Sequence, residues 1–309
     1  MALALVFPGQ GAQYVGMGRD LAAQVPAAAR LLAEADAILG FPLSAVIAGG
    51  PEAELTRTDI SQPAILVSSL MSFEALKTRA APRFAASAGL SLGEYTALVV
   101  AGVLTFPDAL RLVRLRGEAM QAAAQLVPSG MVALIGADEA SASALCAQVA
   151  EGAVLQVANL NAPGQVVISG EAAACQRACA LVAAKGKELG IRKAIPLSVA
   201  GAFHSALMAP AAERLRAGLA RTPFAAPQVP VYCNVHAQAV TDPALFPELL
   251  VSQLTKPVRW ADSVVAMHKA GIGEFLELGP GKTLNGMITR TVTDVTLRAI
   301  DGYETLPTA

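Results

Sequence analysis

Apolar positions along this chain switch between two rhythms. Short runs have buried-strand character, longer ones have helical spacing, and their alternation predicts an α/β layer fold with a mainly parallel sheet. Ala2–Phe7 reads as a first strand and Phe84–Gly89 as another, with further strands expected at Val229–Asn234, Glu274–Leu278 and Val295–Ile300. Helices are expected over Pro63–Lys77, where Gln62-Pro63 suits a start with proline in the first turn. They are also expected over Phe106–Gln121, which Ala122, Ala123 and Ala124 extend as good helix formers, then after His204, around Ala261–Lys269 and from Thr283 to Arg290. The middle of the chain runs differently: strand Met131–Gly136, helix Asp138–Val149, strand Val154–Asn159, a turn at Asn161-Ala162-Pro163-Gly164, strand Gln165–Ser169, helix Glu171–Leu189 and strand Ile191–Leu197. That order is βαββαβ, the ferredoxin-like split unit. It predicts a small subdomain over residues 129–198, inserted in a large α/β subdomain made of 1–128 and 199–309.

Composition narrows the function classes. The 309 residues are 54% hydrophobic, with a mean hydropathy of +0.50, so core material is ample. Much of it is alanine, and the run from Ala97 to Leu104 falls far short of the ~18 apolar residues a spanning helix needs. The N-terminus lacks a basic segment and runs straight into a strand, so neither a signal peptide nor a membrane partner is expected. With 23 Lys+Arg against 24 Asp+Glu, 5% aromatics and no basic stripe, nucleic-acid binding is not expected. Cys146, Cys175, Cys179 and Cys233 form no C-x-x-C pair and read as small buried hydrophobes of a reducing, cytoplasmic setting.

Chemistry concentrates in Gly89-Leu90-Ser91-Leu92-Gly93-Glu94, which follows a strand-like run and precedes a helix-like one. Strand, G-x-S-x-G, helix is the context of a nucleophile elbow, although a glycine-rich turn with an ordinary serine has the same local form. The free N–H groups at the start of the following helix point toward the place where an oxyanion would develop. A serine hydroxyl needs a base, and only His204, His236 and His268 are available. His268 sits near the end of an amphipathic helix and His236 at a strand end, both without evident chemistry. His204 lies in a small-residue turn opening a helix near Ser205, where a helix N-terminus favours the neutral imidazole a base requires.

On the Phe106–Gln121 helix, Arg116 shares a face with Ala109, Leu112, Val113, Ala119 and Met120, while Arg111, Arg114 and Glu118 take the other. A guanidinium turned toward a core must meet an anion, either an internal Asp or Glu or a substrate carboxylate. After the first strand, Gly9 and Gly11 permit close backbone approach, and Gln10 is placed to turn an amide toward a reaction centre. Two glycine motifs fail: Tyr14 stands where G-x-G-x-x-G needs glycine, and Leu276 where a P-loop before Gly281-Lys282-Thr283 needs one.

Taken in order, Phe7-Pro8-Gly9-Gln10-Gly11-Ala12-Gln13, Gln62-Pro63-Ala64, Ser91-Leu92-Gly93-Glu94-Tyr95, Arg116-Gly117, Asn161 to Gly170, Phe203-His204-Ser205 and Glu277-Leu278-Gly279-Pro280-Gly281 run nearly end to end. Together they resemble the malonyl-CoA:acyl carrier protein transacylases of fatty-acid or polyketide synthesis. The resemblance implies a hydrolase-like α/β core with a ferredoxin-like insert, and a ping-pong transfer from malonyl-CoA to an acyl carrier protein. It implies Ser91 as acylated nucleophile, His204 as base and Arg116 on the malonyl carboxylate. Gln10 and the Leu92 N–H would form the oxyanion hole, the backbone carbonyl of Gln253 would orient the histidine in place of a triad acid, and Phe203 would favour malonyl over a branched acyl group. No bound cofactor or metal is implied; a CoA thioester is the substrate.

Two departures stand out: Leu90 replaces the usual histidine before the nucleophile, and Gly201 replaces a histidine found in modular relatives. The rivals are a serine esterase or thioesterase, and a catalytically silent acyl-CoA-binding subunit of a synthase, for which Leu90 is the hint. An acidic carrier protein suggests a basic patch near the cleft involving Lys185, Lys187, Arg192 or Lys193.

Overall fold

The structure is a computed structural model and describes residues 1–308. Its ten strands are β1 (Ala2–Phe7), β2 (Ala86–Gly89), β3 (Ser129–Ile135), β4 (Leu155–Ala162), β5 (Gln165–Glu171), β6 (Lys193–Pro196), β7 (Val231–Cys233), β8 (Gln238–Val240), β9 (Ile272–Leu278) and β10 (Thr296–Ile300). They form two sheets. One is six-stranded, ordered β10-β9-β1-β2-β7-β8, parallel throughout except for the antiparallel edge strand β8. The other is four-stranded, ordered β4-β5-β3-β6 and wholly antiparallel.

The parallel sheet is covered by helices on both faces, which explains why Ala4–Phe7 of β1 are all apolar and fully buried. Leu5 and Phe7 join one core cluster, while Ala4 and Val6 join another with Trp260, Phe275 and Leu284. The antiparallel sheet has a separate core under the helices Glu139–Val149 and Ala172–Lys185, built from residues such as Leu134, Leu145, Ile168 and Val182.

One expected helix start was wrong. The helix runs over Thr58–Arg79 and carries Pro63 inside it. A proline there deprives the carbonyl four residues earlier of its donor, and that carbonyl, Asp59 O, instead accepts from Arg114 Nη1 at 2.7 Å. Packing against the Phe106–Ala124 helix therefore repairs the defect. The turn after β4 narrows to Pro163-Gly164, since Asn161 and Ala162 belong to the strand, and the helix expected to reach Leu189 ends at Lys185. The strand expected over Val229–Asn234 shortens to β7. Helices at Arg19–Gln24, Pro26–Leu39, Leu43–Gly49, Glu52–Leu55 and Phe246–Gln253, with β8, were not anticipated.

The four cysteines are free; Cys146, Cys175 and Cys233 are buried and Cys179 is half-buried. Burial pushes the Cys146 thiol up to about 12 and that of Cys175 to about 11, so both stay protonated near neutrality. Among the described residues no helix is long and apolar enough to cross a membrane.

Candidate active site

Phe7 of β1 pairs with Gly89 of β2, and Ala88 of β2 pairs with Tyr232 of β7. The segments leaving these three parallel strands therefore emerge together at the carboxyl end of the sheet, where open α/β sheets place their ligands. They are the Pro8–Gln13 loop, the Leu90-Ser91-Leu92 turn and Asn234. Gly89 and Gly93 make the turn possible. A Cβ on Gly89 would overlap the Gly93 carbonyl, and one on Gly93 would overlap the Phe7 carbonyl.

Ser91 itself has φ 52°, in the left-handed region that side-chain-bearing residues rarely occupy. Such strain persists only where neighbours over-determine it. Here the Ser91 N–H donates to Asn234 Oδ1 at 2.6 Å, and the Ser91 carbonyl accepts from Gln253 Nε2 at 3.1 Å. Asn234 Nδ2 also donates to Gly89 O at 2.7 Å, tying both ends of the elbow to the end of β7.

Ser91 Oγ lies 2.8 Å from His204 Nε2, and His204 Nδ1 lies 2.7 Å from the Gln253 carbonyl oxygen. A carbonyl only accepts, so Nδ1 carries the proton and Nε2 is left to accept from the serine hydroxyl. His204 also has a left-handed backbone, φ 57°. The structure corrects the cause expected for its neutrality. The chain after Ser205 makes only a 3₁₀ turn, Ala206–Met208, before the Ala209–Leu219 helix. Burial first, and the positive charge of Arg116 second, pull His204 down to about 4, against the opposing bond to Gln253.

Arg116 is 1% exposed. Its Nη2 donates to Ser91 Oγ at 3.0 Å and to Gln253 Oε1 at 2.9 Å, and Nη1 donates to Gln62 Oε1 at 2.7 Å. Its guanidinium also lies 5.6 Å from the Tyr95 ring centroid, and its Nε has no partner among the described residues. His204 and Arg116 thus converge on the Ser91 oxygen, although they are 113 and 25 residues from Ser91 in sequence.

A cavity of about 300 Å³ opens over Ser91 and His204, lined also by Gln10, Leu90, Met131 and Phe203. Gln10 is half-buried, with Nε2 3.5 Å from Thr58 Oγ1, and the buried Leu92 is the residue before the Gly93–Val100 helix. Leu90 occupies the cavity wall beside Gly9. Gly201 is required by packing: a Cβ there would sit 2.5 Å from Ala124 Cβ, so the loop before His204 presses on the end of the Phe106–Ala124 helix. Elsewhere, His236 is exposed, and His268 is half-buried with Nδ1 3.3 Å from Ile272 O. Lys185, Lys187, Arg192 and Lys193 are exposed and none lines the cavity, although the chain just after β6, Leu197–Val199, does.

Three polar residues of the site were not singled out from sequence. Asn234, Gln62 and Glu94 are buried and hold Ser91, Arg116 and Gln253 respectively. Gln62 and Glu94 lay within quoted motifs, but a single side chain in a motif does not reveal its partner. Asn234 ends a strand, and its role depends on a contact 143 residues away.

The acyl transferase domain family is matched over residues 4–307. The chain belongs to that family. The malonyl CoA-acyl carrier protein transacylase of Salmonella typhimurium is 44% identical over 298 residues, 96% of this chain and 95% of the relative. The structure of the malonyl CoA-acyl carrier protein transacylase from Coxiella burnetii has a TM-score of 0.94 at 36% identity, covering 99% of this chain and 95% of that one. A type II PKS acyl-carrier protein in complex with its malonyl-transacylase provides a further structural match, with a TM-score of 0.93, 40% identity, and coverage of 99% and 97%. The resemblance drawn from the motifs is therefore borne out over the whole acyl transferase domain.

Proposed function

We propose that this chain transfers a malonyl group from malonyl-CoA to the phosphopantetheine thiol of an acyl carrier protein, through a malonyl ester of Ser91. The observation that carries this reading is the single oxygen, Ser91 Oγ, set 2.8 Å from His204 Nε2 and 3.0 Å from Arg116 Nη2. His204 takes the hydroxyl proton as Oγ attacks the thioester carbon. The Leu92 N–H and the Gln10 amide receive the negative charge that develops on the carbonyl oxygen. The C–S bond breaks and His204 returns the proton to the departing CoA thiol. The carrier thiol then gives its proton to His204, attacks the ester carbonyl, and Ser91 leaves as a hydroxyl.

Arg116 holds the free carboxylate through both half-reactions. The Nε–Nη2 edge is the one a carboxylate engages side-on; Nη2 already touches the nucleophile and Nε is unpartnered. A charge held beyond the reacting carbon fixes the carbonyl against Ser91. A Ser–His dyad is supported by the Gln253 carbonyl on Nδ1, where a triad hydrolase carries an acid. Phe203, buried in the cavity wall, crowds an α-branch and favours malonyl. No step calls for a metal or a bound cofactor, and the reaction belongs to cytoplasmic fatty-acid or polyketide synthesis.

The finer architecture follows the same reading. The strand order β4-β5-β3-β6 supports a ferredoxin-like subdomain over 129–198, and the parallel sheet supports a hydrolase-like core over 1–128 and 199–309.

Incubation with malonyl-CoA and intact-mass measurement tests the scheme. A malonyl adduct is expected on the wild type and none on Ser91→Ala. Hydrolysis of malonyl-CoA outpacing transfer to a carrier protein would favour a thioesterase instead.

A further inference from the structure

Arg116 presents an electrostatic puzzle. It is fully buried, yet its three direct partners, Gln62 Oε1, Gln253 Oε1 and Ser91 Oγ, are all neutral. An isolated buried charge is costly without compensation. A second buried charge-bearing group lies one side chain away. Glu94 is 1% exposed, and its Oε2 accepts from Gln253 Nε2 at 2.9 Å and from the Asn234 N–H at 2.9 Å. The Gln253 amide therefore stands between the two, donating to the carboxylate from Nε2 and accepting from the guanidinium at Oε1. The same residue's backbone carbonyl holds His204.

We propose that Glu94 is a positioning residue. Through the Gln253 amide it is the counter-charge of Arg116, and it thereby sets how hard Arg116 grips a ligand carboxylate. A direct Glu–Arg ion pair would satisfy the guanidinium and block it. A counter-charge one amide away compensates burial while leaving Nε unpartnered for a ligand. The amide also cannot flip, because a reversed amide would place its oxygen against the carboxylate and its NH₂ against the guanidinium.

The surroundings contain few competing charges. Arg116 comes from the Phe106–Ala124 helix, Tyr95 from Glu94's own helix, and Cys233 from the end of β7. Burial pushes both Tyr95 and Cys233 up, so neither carries charge near neutrality. The nearby Asp59 is turned to Arg57 and Arg114.

This inference rests on the transfer reading, and the test separates the two. The isostere Glu94→Gln keeps an oxygen for both donors and removes the charge, turning the other oxygen into an amide NH₂. The acylation half-reaction is followed by CoA release with malonyl-CoA and with acetyl-CoA across pH, in single turnover so that half-saturation reports binding. Removing a negative charge near Arg116 tightens malonyl-CoA half-saturation by about threefold and leaves acetyl-CoA unchanged. Burial pushes the Glu94 carboxyl up, against the Asn234 and Gln253 donors and the Arg116 charge, so wild-type Glu94 protonates on acidification and the difference between wild type and Glu94→Gln is present at neutral pH and vanishes in acid. Glu94→Asp restores malonyl half-saturation toward wild type. A merely structural role would weaken both donors together at every pH. A folded Glu94→Gln enzyme with unchanged malonyl half-saturation at neutral pH overturns the proposal. Should Glu94→Gln fail to fold, Glu94→Asp with malonyl half-saturation displaced as far as a charge loss requires does the same. Failure of the wild type to form a malonyl adduct instead refutes the transfer reading itself.

Discussion

Replacing Arg116 by alanine removes a guanidinium that is 1% exposed and donates to Gln62, Gln253 and Ser91. Two separate losses follow. The first is common to every acyl group: Gln62 Oε1 and Gln253 Oε1 lose a buried donor, and Ser91 loses a neighbour that helps place its oxygen. The second belongs only to an acyl group with a free carboxylate, which enters a buried site and finds no counter-charge. Truncating one partner of a desolvated charged contact costs about 2–5 kcal/mol. At 1.36 kcal/mol per tenfold, that is a loss of roughly 30- to several-thousand-fold in kcat/KM. The informative quantity is the ratio of malonyl to acetyl transfer, because the common loss cancels in it. The assay follows CoA release with each donor at matched carrier-protein concentration, wild type against Arg116→Ala. The ratio should fall by at least about 30-fold. Arg116→Lys should recover part of it, since an ammonium keeps the charge but cannot span Gln62 and Gln253 with one planar fork. Equal losses for malonyl and acetyl would refute the carboxylate grip and leave Arg116 as a structural group.

His204 is depressed to about 4, so kcat/KM should stay level from neutrality down to about pH 5 and halve near pH 4, whereas a limb near 6.5 would contradict the buried, Arg116-facing imidazole. The same shift links to stability: between pH 6.5 and 4 the unfolded chain binds a proton that the folded one refuses, so His204 stabilises the fold above 6.5 and up to about 3 kcal/mol of that is lost as pH falls to 4, readable in thermal melts against His204→Gln. Asn234→Ala leaves the Ser91 N–H and the Gly89 carbonyl without partners and should cost about 2–4 kcal/mol in denaturant unfolding; a loss below about 1 kcal/mol would show that the elbow holds its strained backbone without this tie. Phe203→Ser enlarges the cavity wall beside Ser91, and the preference for malonyl over methylmalonyl should drop by about tenfold in competition assays; an unchanged ratio would place selectivity elsewhere.

Features legible in the sequence were those whose cause is local. β1 is legible with its observed ends because it is a six-residue apolar run whose last four residues are buried on both faces, and such a run needs no partner to be recognised. The elbow was legible because Gly89 and Gly93 answer to a steric demand only a few residues away. Arg116 was legible as an anomaly, a charge on an apolar helix face, though not its neighbours. The four helices between residues 19 and 55 carry no start signal in the sequence, since none has a side-chain cap, and three of them are only four to seven residues long. The Thr58–Arg79 helix was misread at its start because the repair of Pro63 comes from Arg114, 55 residues beyond Asp59.

By itself, the sequence determined the layered α/β class, the strained serine turn and the presence of a base and a guanidinium of the right kinds. Only the tertiary structure decided that these meet on one oxygen, which tautomer His204 adopts, and that burial with Arg116 rather than a helix terminus keeps its imidazole neutral. It also decided that Gln253 joins Arg116 to Glu94. The physical reason is range. Backbone propensity and side-chain spacing act over a few residues and are written along the chain. Desolvation and hydrogen bonding between buried groups depend on which distant segments the packed sheets bring within 3 Å or so, and no local pattern records that.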